Sequence, residues 1–276
     1  MHQGEARGAS HGMTTSIERR TRGYADLEGH RTWFADSGGV GEPILLLHGG
    51  ISDSDLLLEP LEPAMGERFR ILAFDRRGHG RTADTGAAFH YDDMATETIA
   101  AIEKLIAGPA HLIGWSDGGN VALLVALRRP DLVRSLVLIG SNYHFDGNMP
   151  TGPGGSGPKM LRDRYAERSP DGAEHFAAVF EKSKAMWATE PTLTTDDLRR
   201  VSVPALVVVG DGDLLTLAHT ASLYESLPLG QLAVIPGASH GVVFEKPDLV
   251  IRLIGDFLNA PGKPETHMPV RRRAPK

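Results

Sequence analysis

The sequence predicts an α/β protein in which a mostly parallel, eight-stranded sheet carries helices on both faces. Three observations support this fold class. Short, wholly apolar runs recur along the chain, as buried parallel strands require. Helical patterns separate these runs, and such alternation implies parallel strands joined by crossovers. The 276 residues are 41% hydrophobic and 23% charged, which suits one large globular domain.

Each element follows from this patterning in chain order. A hairpin is predicted where residues 24–27 and 31–35 flank the turn residues Glu28-Gly29-His30. Six further strands are expected at apolar runs, which lie at 44–47, 70–74, 110–113, 135–139, 205–209 and 232–235. Helices are expected where apolar residues recur at helical spacing, over 56–67, 96–106, 121–127, 217–227 and 249–258.

Residues 142–201 break the alternation. This segment opens with a loop rich in Gly and Pro at 151–158, and helical patterns follow at 160–167 and 173–187. We interpret the segment as a helical cap inserted between two strands. The predicted organisation has four parts, which are a disordered N-terminal extension at 1–21, an α/β core at 22–141 and 202–260, the cap at 142–201, and a disordered basic tail at 261–276.

Composition excludes several classes of function. A net charge of −6 and a pI of about 6.0 provide no positive field for nucleic acid or an anionic membrane. The absence of cysteine excludes disulfides, thiolate catalysis and Cys-based metal sites. No apolar run approaches the length of a membrane span, and the N-terminus lacks the apolar region of a signal peptide. We therefore expect a cytoplasmic protein with no nucleic-acid or membrane partner.

The most informative motif is Gly114-Trp115-Ser116-Asp117-Gly118-Gly119, which lies between an apolar run and a helical pattern. It predicts a strand, a sharp turn and a helix, with Ser116 at the apex of the turn. Glycines suit such a turn because the serine takes a strained conformation and flanking side chains would collide. Ser116 would then lie at a helix N-terminus, beside exposed backbone N–H groups.

A serine hydroxyl becomes a good nucleophile only with a base beside it, and the base needs an acid that orients it. Two downstream turns supply candidates at the carboxyl ends of strands, where sites form in parallel sheets. His240 follows the strand at 232–235 and is the candidate base. The turn after the strand at 205–209 carries two candidate acids, Asp211 and Asp213.

Four segments together resemble the α/β-hydrolase superfamily, in particular its capped, cofactor-free esterases, lactonases and haloperoxidase-like members. These segments are 46–50, 74–82, 114–119, and 210–213 with 237–245. The resemblance implies an α/β-hydrolase fold with Ser116 as nucleophile, His240 as general base and Asp213 as acid. Asp211 is the competing acid, and Asp146 is a weaker third candidate because some family members carry the acid after the strand at 135–139. It also implies an oxyanion hole formed by the N–H groups of Gly50 and Asp117.

The resemblance assigns His48 to bracing the loop that carries Gly50, and it gives residues 75–80 a structural turn without a catalytic role. It implies no cofactor and no metal. The side chains expected to contact a small-molecule ester substrate are Ile51, Trp115, His144, Phe180 and Trp187. The oligomeric state is not predicted.

The expected activity is hydrolysis of small-to-medium carboxylic esters or lactones through an acyl-enzyme. Alternatives on the same residues are hydrolysis of carbon–carbon bonds or thioesters, and haloperoxidase-like perhydrolysis. A small-molecule receptor on this fold is the alternative from another class. The motif around Ser116 also resembles that of amino-acid-ester hydrolases of the valacyclovir hydrolase type, in which the aspartate after the serine attracts the substrate's α-amino group. Asp117 would alternatively stabilise the helix N-terminus.

Overall fold

The computed structural model describes residues 20–149, 156–262 and 267–268. Within these ranges eight strands form one sheet, in the order β1-β2-β4-β3-β5-β6-β7-β8. The strands are β1 (Thr21–Leu27), β2 (His30–Asp36), β3 (Glu42–Leu47), β4 (Phe69–Phe74), β5 (Ala110–Trp115), β6 (Val133–Ile139), β7 (Ala205–Gly212) and β8 (Gly230–Ser239). The β1–β2 and β2–β4 pairs are antiparallel and the other five pairs are parallel, which confirms the predicted fold class.

Helices connect these strands, and several of them pack against the sheet. Those in the described ranges are α1 (Asp55–Met65), α2 (Tyr91–Ala101), α3 (Asp117–Arg128), α4 (Lys159–Arg168), α5 (Phe176–Trp187), α6 (Thr195–Arg199), α7 (Leu217–Ser226), α8 (Val242–Glu245) and α9 (Pro247–Asn259). α2 and α3 pack together, with α3 against β3, β5 and β6, while α1 and α9 form a second pair. The central strands are therefore buried, and residues 44–47 of β3 are at most 1% exposed.

The predicted hairpin is confirmed, with a tighter turn than expected. Leu27 pairs with His30, so the turn contains only Glu28 and Gly29. Both have positive φ, 53° and 76°, which is the signature of the two-residue turns that match strand twist. His30 consequently belongs to β2 and not to the turn.

The helix predicted over 96–106 begins earlier and ends differently. α2 starts at Tyr91, and residues 102–106 continue it as a π-helical turn that ends at Ala107 with φ of 60°. The buried face of α2 includes Ala95 and Thr98, residues too small or polar to give a clear apolar period. Apolar periodicity alone therefore missed the first turn.

Residues 142–201 contain α4, α5 and α6 and lie between β6 and β7 in the chain. Ion pairs tie two of these helices to the rest of the protein. Arg164 of α4 holds the buried carboxylate of Asp53 at 2.8 and 2.9 Å, and Lys182 of α5 holds that of Asp84 at 2.7 Å. The predicted disordered ends lie almost entirely outside the described residues. None of the helices in the described ranges is both long enough and apolar enough to cross a membrane.

Candidate active site

The turn between β5 and α3 places Ser116 in a conformation that non-glycine residues rarely adopt, with φ of 55° and ψ of −123°. The backbone around it is packed so closely that side chains do not fit. A Cβ at Gly118 would overlap the carbonyl of Leu47, and one at Gly114 would overlap the backbone of Gly118. The glycines of the motif therefore permit the strand, turn and helix to meet at this distance.

Two hydrogen bonds connect three of the predicted residues across this turn. The Oγ of Ser116 lies 2.9 Å from Nε2 of His240, and Nδ1 of His240 lies 2.8 Å from Oδ1 of Asp213. The Asp213 side chain is fully buried, while that of His240 is 23% exposed. This geometry allows the imidazole to take the serine proton at Nε2 while the carboxylate holds the proton on Nδ1.

The three candidate acids lie in different places. Asp213 alone among them contacts His240. Asp211 is exposed, and its Oδ1 accepts backbone N–H bonds from Gly237 at 2.8 Å and Ala238 at 3.3 Å. Asp146 is exposed and pairs with His144 at 3.4 Å. Asp211 thus braces the loop before His240, which is the turn role that carboxylates commonly take.

Two backbone donors beside Ser116 have no acceptor in the part of the chain that the structure describes. The N–H of Asp117 heads α3, where no intrahelical acceptor exists, and neither it nor the N–H of Gly50 donates a bond in the described ranges. The loop that carries Gly50 lies against the turn that holds Ser116, since a Cβ on Gly49 would lie 3.3 Å from the Cβ of Ser116. Both donors are therefore available to a ligand at the serine.

The side chain of Asp117 is buried and hydrogen-bonded. Its Oδ1 accepts the hydroxyl of Tyr91 at 2.8 Å, and the indole N–H of Trp187 lies 3.0 Å from both carboxylate oxygens. Burial raises the pKa of Asp117, and the nearby charge of Arg76 opposes that rise. Asn120 extends the network by donating to the Tyr91 hydroxyl at 3.2 Å.

Tyr91 and Asn120 were not among the residues predicted from the sequence. Tyr91 lies in the missed first turn of α2, and Asn120 lies in α3. An Asn four positions after Ser116, directly before the helix predicted at 121–127, was the only available signal. Their meeting depends on the packing of α2 against α3, which periodicity does not predict.

Of the five side chains predicted to contact substrate, three lie on α5 or in the loop after β3, and two make contacts elsewhere. Trp187 and Phe180 are partly buried on α5, and Ile51 is buried in the loop after β3. Trp115 instead donates to the carbonyl of His240 at 2.9 Å. His144 stacks on its neighbour Phe145, and no hydrogen bond or ring contact joins it to Ser116 or His240 within the described residues.

Comparison with known proteins matches this chain to one family. A family model described as the alpha/beta hydrolase family matches residues 44–253. The 2-(acetamidomethylene)succinate hydrolase of Mesorhizobium japonicum is 28% identical over 249 residues, covering 79% of this chain and 88% of that protein. The pimeloyl-[acyl-carrier protein] methyl ester esterase of Nitrosomonas europaea is 29% identical over 240 residues, covering 76% and 93%.

Solved structures show the same fold. A meta-cleavage product hydrolase from Pseudomonas fluorescens superposes with a TM-score of 0.74 at 23% identity, covering 86% of this chain and 97% of that one. Identity at this level carries the architecture alone.

Proposed function

The chain belongs to the alpha/beta hydrolase family, and from that premise we propose that it is a serine hydrolase of small-to-medium carboxylic esters or lactones. The observation that carries the proposal is the pair of hydrogen bonds that links Ser116, His240 and Asp213 at 2.9 and 2.8 Å. These residues stand in the chain order Ser, Asp, His that this fold uses. Fold alone does not assign an activity, so the proposal rests on the geometry of these three residues.

In the proposed reaction, Oγ of Ser116 attacks the ester carbonyl carbon while Nε2 of His240 accepts the hydroxyl proton. The tetrahedral intermediate collapses, and His240 returns the proton to the departing alcohol. A water molecule then attacks the acyl-enzyme with His240 again as base, which releases the acid and restores Ser116. Asp213 holds the proton on Nδ1 and stabilises the imidazolium in both steps.

Negative charge develops on the former carbonyl oxygen in each tetrahedral intermediate. The unused N–H groups of Gly50 and Asp117 lie beside Ser116 and would bind this oxygen. One such preorganised donor contributes about 3 kcal/mol to the transition state. This assignment gives both groups an acceptor, which neither has among the described residues.

Side chains next to this site support an apolar substrate. Phe176, Phe180 and Trp187 follow one another along α5, with ring centroids 6.1 and 6.3 Å apart. Trp187 contacts the loop that carries Gly50, since a Cβ on Gly50 would overlap the indole ring. We therefore propose that residues 142–201 act as a cap whose aromatic row contacts the acyl or alcohol group.

The test is hydrolysis of p-nitrophenyl esters from acetate to octanoate by the wild type and Ser116→Ala. Activity that disappears in the variant, with a clear chain-length optimum, supports the proposal. Full activity in Ser116→Ala refutes the serine mechanism. If neither protein cleaves any ester or lactone, ester hydrolysis is the wrong reaction, and vinylogous diketones then test carbon–carbon cleavage.

A further inference from the structure

The peptide bond between Gly49 and Gly50 faces two environments. Its N–H, on Gly50, is the donor assigned above to the oxyanion. Its carbonyl oxygen, on Gly49, points into the protein, where three donors converge. His48 Nδ1 lies 2.7 Å away, Ser52 Oγ 2.9 Å and Arg76 Nη2 3.1 Å. Three donors on one carbonyl, one of them charged, exceed the oxygen's two lone pairs.

The protonation of His48 is fixed by its surroundings. The backbone N–H of Arg76 donates to Nε2 of His48 at 3.0 Å, so that nitrogen carries no proton. Burial and the charge of Arg76 lower the pKa of His48 well below its usual value, which keeps the ring neutral. The single ring proton is consequently on Nδ1, where it can only be donated, and Gly49 O is its acceptor.

Arg76 is an unusual member of this group. Arg76 is 1% exposed, and its Nε and Nη1 atoms have no hydrogen-bond partner in the described part of the protein. Its guanidinium donates instead from Nη2 to Gly49 O. A buried guanidinium is costly, and buried donors without partners call for an explanation beyond stability. The sequence analysis gave this segment only a structural role.

We propose that Arg76 is a positioning residue, which orients and polarises the Gly49–Gly50 peptide so that the Gly50 N–H binds the oxyanion more strongly. The inference rests on the proposed function. A cationic donor on an amide oxygen draws electron density from the amide nitrogen, which makes its N–H a stronger donor. Three donors also hold the peptide in one orientation before substrate arrives, so no reorganisation is needed in the transition state.

A competing account is that Arg76 only neutralises the buried carboxylate of Asp117. The two groups lie close enough for each charge to influence the pKa of the other. A double-mutant cycle separates the two. We would compare Arg76→Met with its parent in the wild-type background and in the Asp117→Asn background, where no carboxylate needs a partner. The matched control is Arg70→Met, in which an arginine of β4 loses its ion pair with Asp36 of β2, away from Gly49.

Two readouts are needed. One is kcat and KM on the best p-nitrophenyl ester. The other is the rate at which an alkyl fluorophosphonate modifies Ser116, forming an Oγ–P bond and releasing fluoride. The phosphonyl oxygen uses the same oxyanion donors, so this rate tests the inference even if esters are not the substrate. If the wild type does not turn over esters but Ser116 is still phosphonylated, the proposed function is overturned and the inference about Arg76 is not.

The expected result for Arg76→Met is a fall of about tenfold in kcat and in the phosphonylation rate, with KM within twofold, in both backgrounds. Arg70→Met should leave these rates within twofold. Rates within twofold of the parent in both backgrounds would overturn the inference, and so would a loss seen only when Asp117 is present.

If Arg76→Met does not fold, Ser52→Ala provides the test. This change removes a neutral donor from the same oxygen and leaves the buried charge in place. A several-fold fall in the phosphonylation rate without a change in KM supports the inference. An unchanged rate contradicts it.

Discussion

The indole N–H of Trp187 lies 3.0 Å from both carboxylate oxygens of Asp117, which joins the last residue of α5 to the first residue of α3. Because Asp117 follows Ser116 directly, this bond connects residues 142–201 to the turn that holds the serine. A bond to a charged, buried acceptor is stronger than one to a neutral group, and leaving such an acceptor short of a donor is costly.

Trp187→Phe should therefore lower the free energy of unfolding by about 2 kcal/mol. The matched variant is Trp115→Phe, which removes an indole bond to the neutral carbonyl of His240 and should cost about 1 kcal/mol. Urea unfolding of both proteins, monitored by far-UV circular dichroism, measures the difference. Equal losses would show that the charge of Asp117 does not strengthen the Trp187 bond.

The same contacts lead to a prediction about substrate choice. Tyr91 and Trp187 already occupy the carboxylate of Asp117, and the charge of Arg76 lies nearby. This favours a structural role over attraction of a substrate amine. Asp117→Ala should therefore raise KM for an amino-acid ester and for its des-amino analogue by similar factors. A much larger rise for the amino-acid ester would instead support amine binding.

The two aspartates of the turn after β7 should behave differently. Asp213→Asn is expected to lower kcat about a thousandfold or more, because an amide favours the wrong tautomer of His240. Asp211→Asn weakens only the acceptance of two backbone N–H groups. It should cost about 1 kcal/mol of stability and change kcat by less than about threefold. Steady-state kinetics on one ester decides this, and a reversed order would make Asp211 the acid.

Local patterns predicted most of the fold and the candidates Ser116 and His240, whereas the family resemblance selected Asp213 over Asp211. The apolar runs located six strands of the described sheet, the turn signal at 28–30 located the other two, and the glycines around Ser116 predicted a turn that only small residues allow. The surroundings of the site were less accessible, since they depend on contacts between distant segments. Arg76 and Gly49 are 27 positions apart, and Tyr91 and Asp117 are 26 apart. The periodicity of apolar residues predicts local structure and does not predict contacts between residues so far apart in the chain.

Glu97 should make stability depend on pH. The residue is 8% exposed, and burial raises its pKa to about 7, against the bonds and charges that would lower it. Between its ordinary value of 4.5 and about 7, the folded protein holds a proton that the unfolded chain has released. Stability from this group is therefore complete below pH 4.5 and is lost as the pH rises towards 7.

Replacing Glu97 by Gln removes this titration and can keep the bond from Thr32, which is 3.0 Å long. Relative to the wild type, the variant should gain stability with pH, reaching about 3 kcal/mol at pH 8. Urea unfolding at pH 5, 6, 7 and 8 measures the difference. A difference that stays constant across this range would show that Glu97 does not titrate there.

The glycines around Ser116 should tolerate no side chain, whereas a helical glycine with open space around its Cβ position should accept one. A Cβ at Gly118 would overlap the carbonyl of Leu47, and both groups are backbone-bound, so neither can move aside. Gly118→Ala should cost several kcal/mol and abolish modification of Ser116 by a fluorophosphonate. Gly255 lies in α9 with open space around its Cβ position. Gly255→Ala should therefore raise stability by about 0.5–1 kcal/mol and leave the modification rate unchanged. Equal stability for the two variants would mean that strand β3 and helix α3 approach less closely than the structure shows.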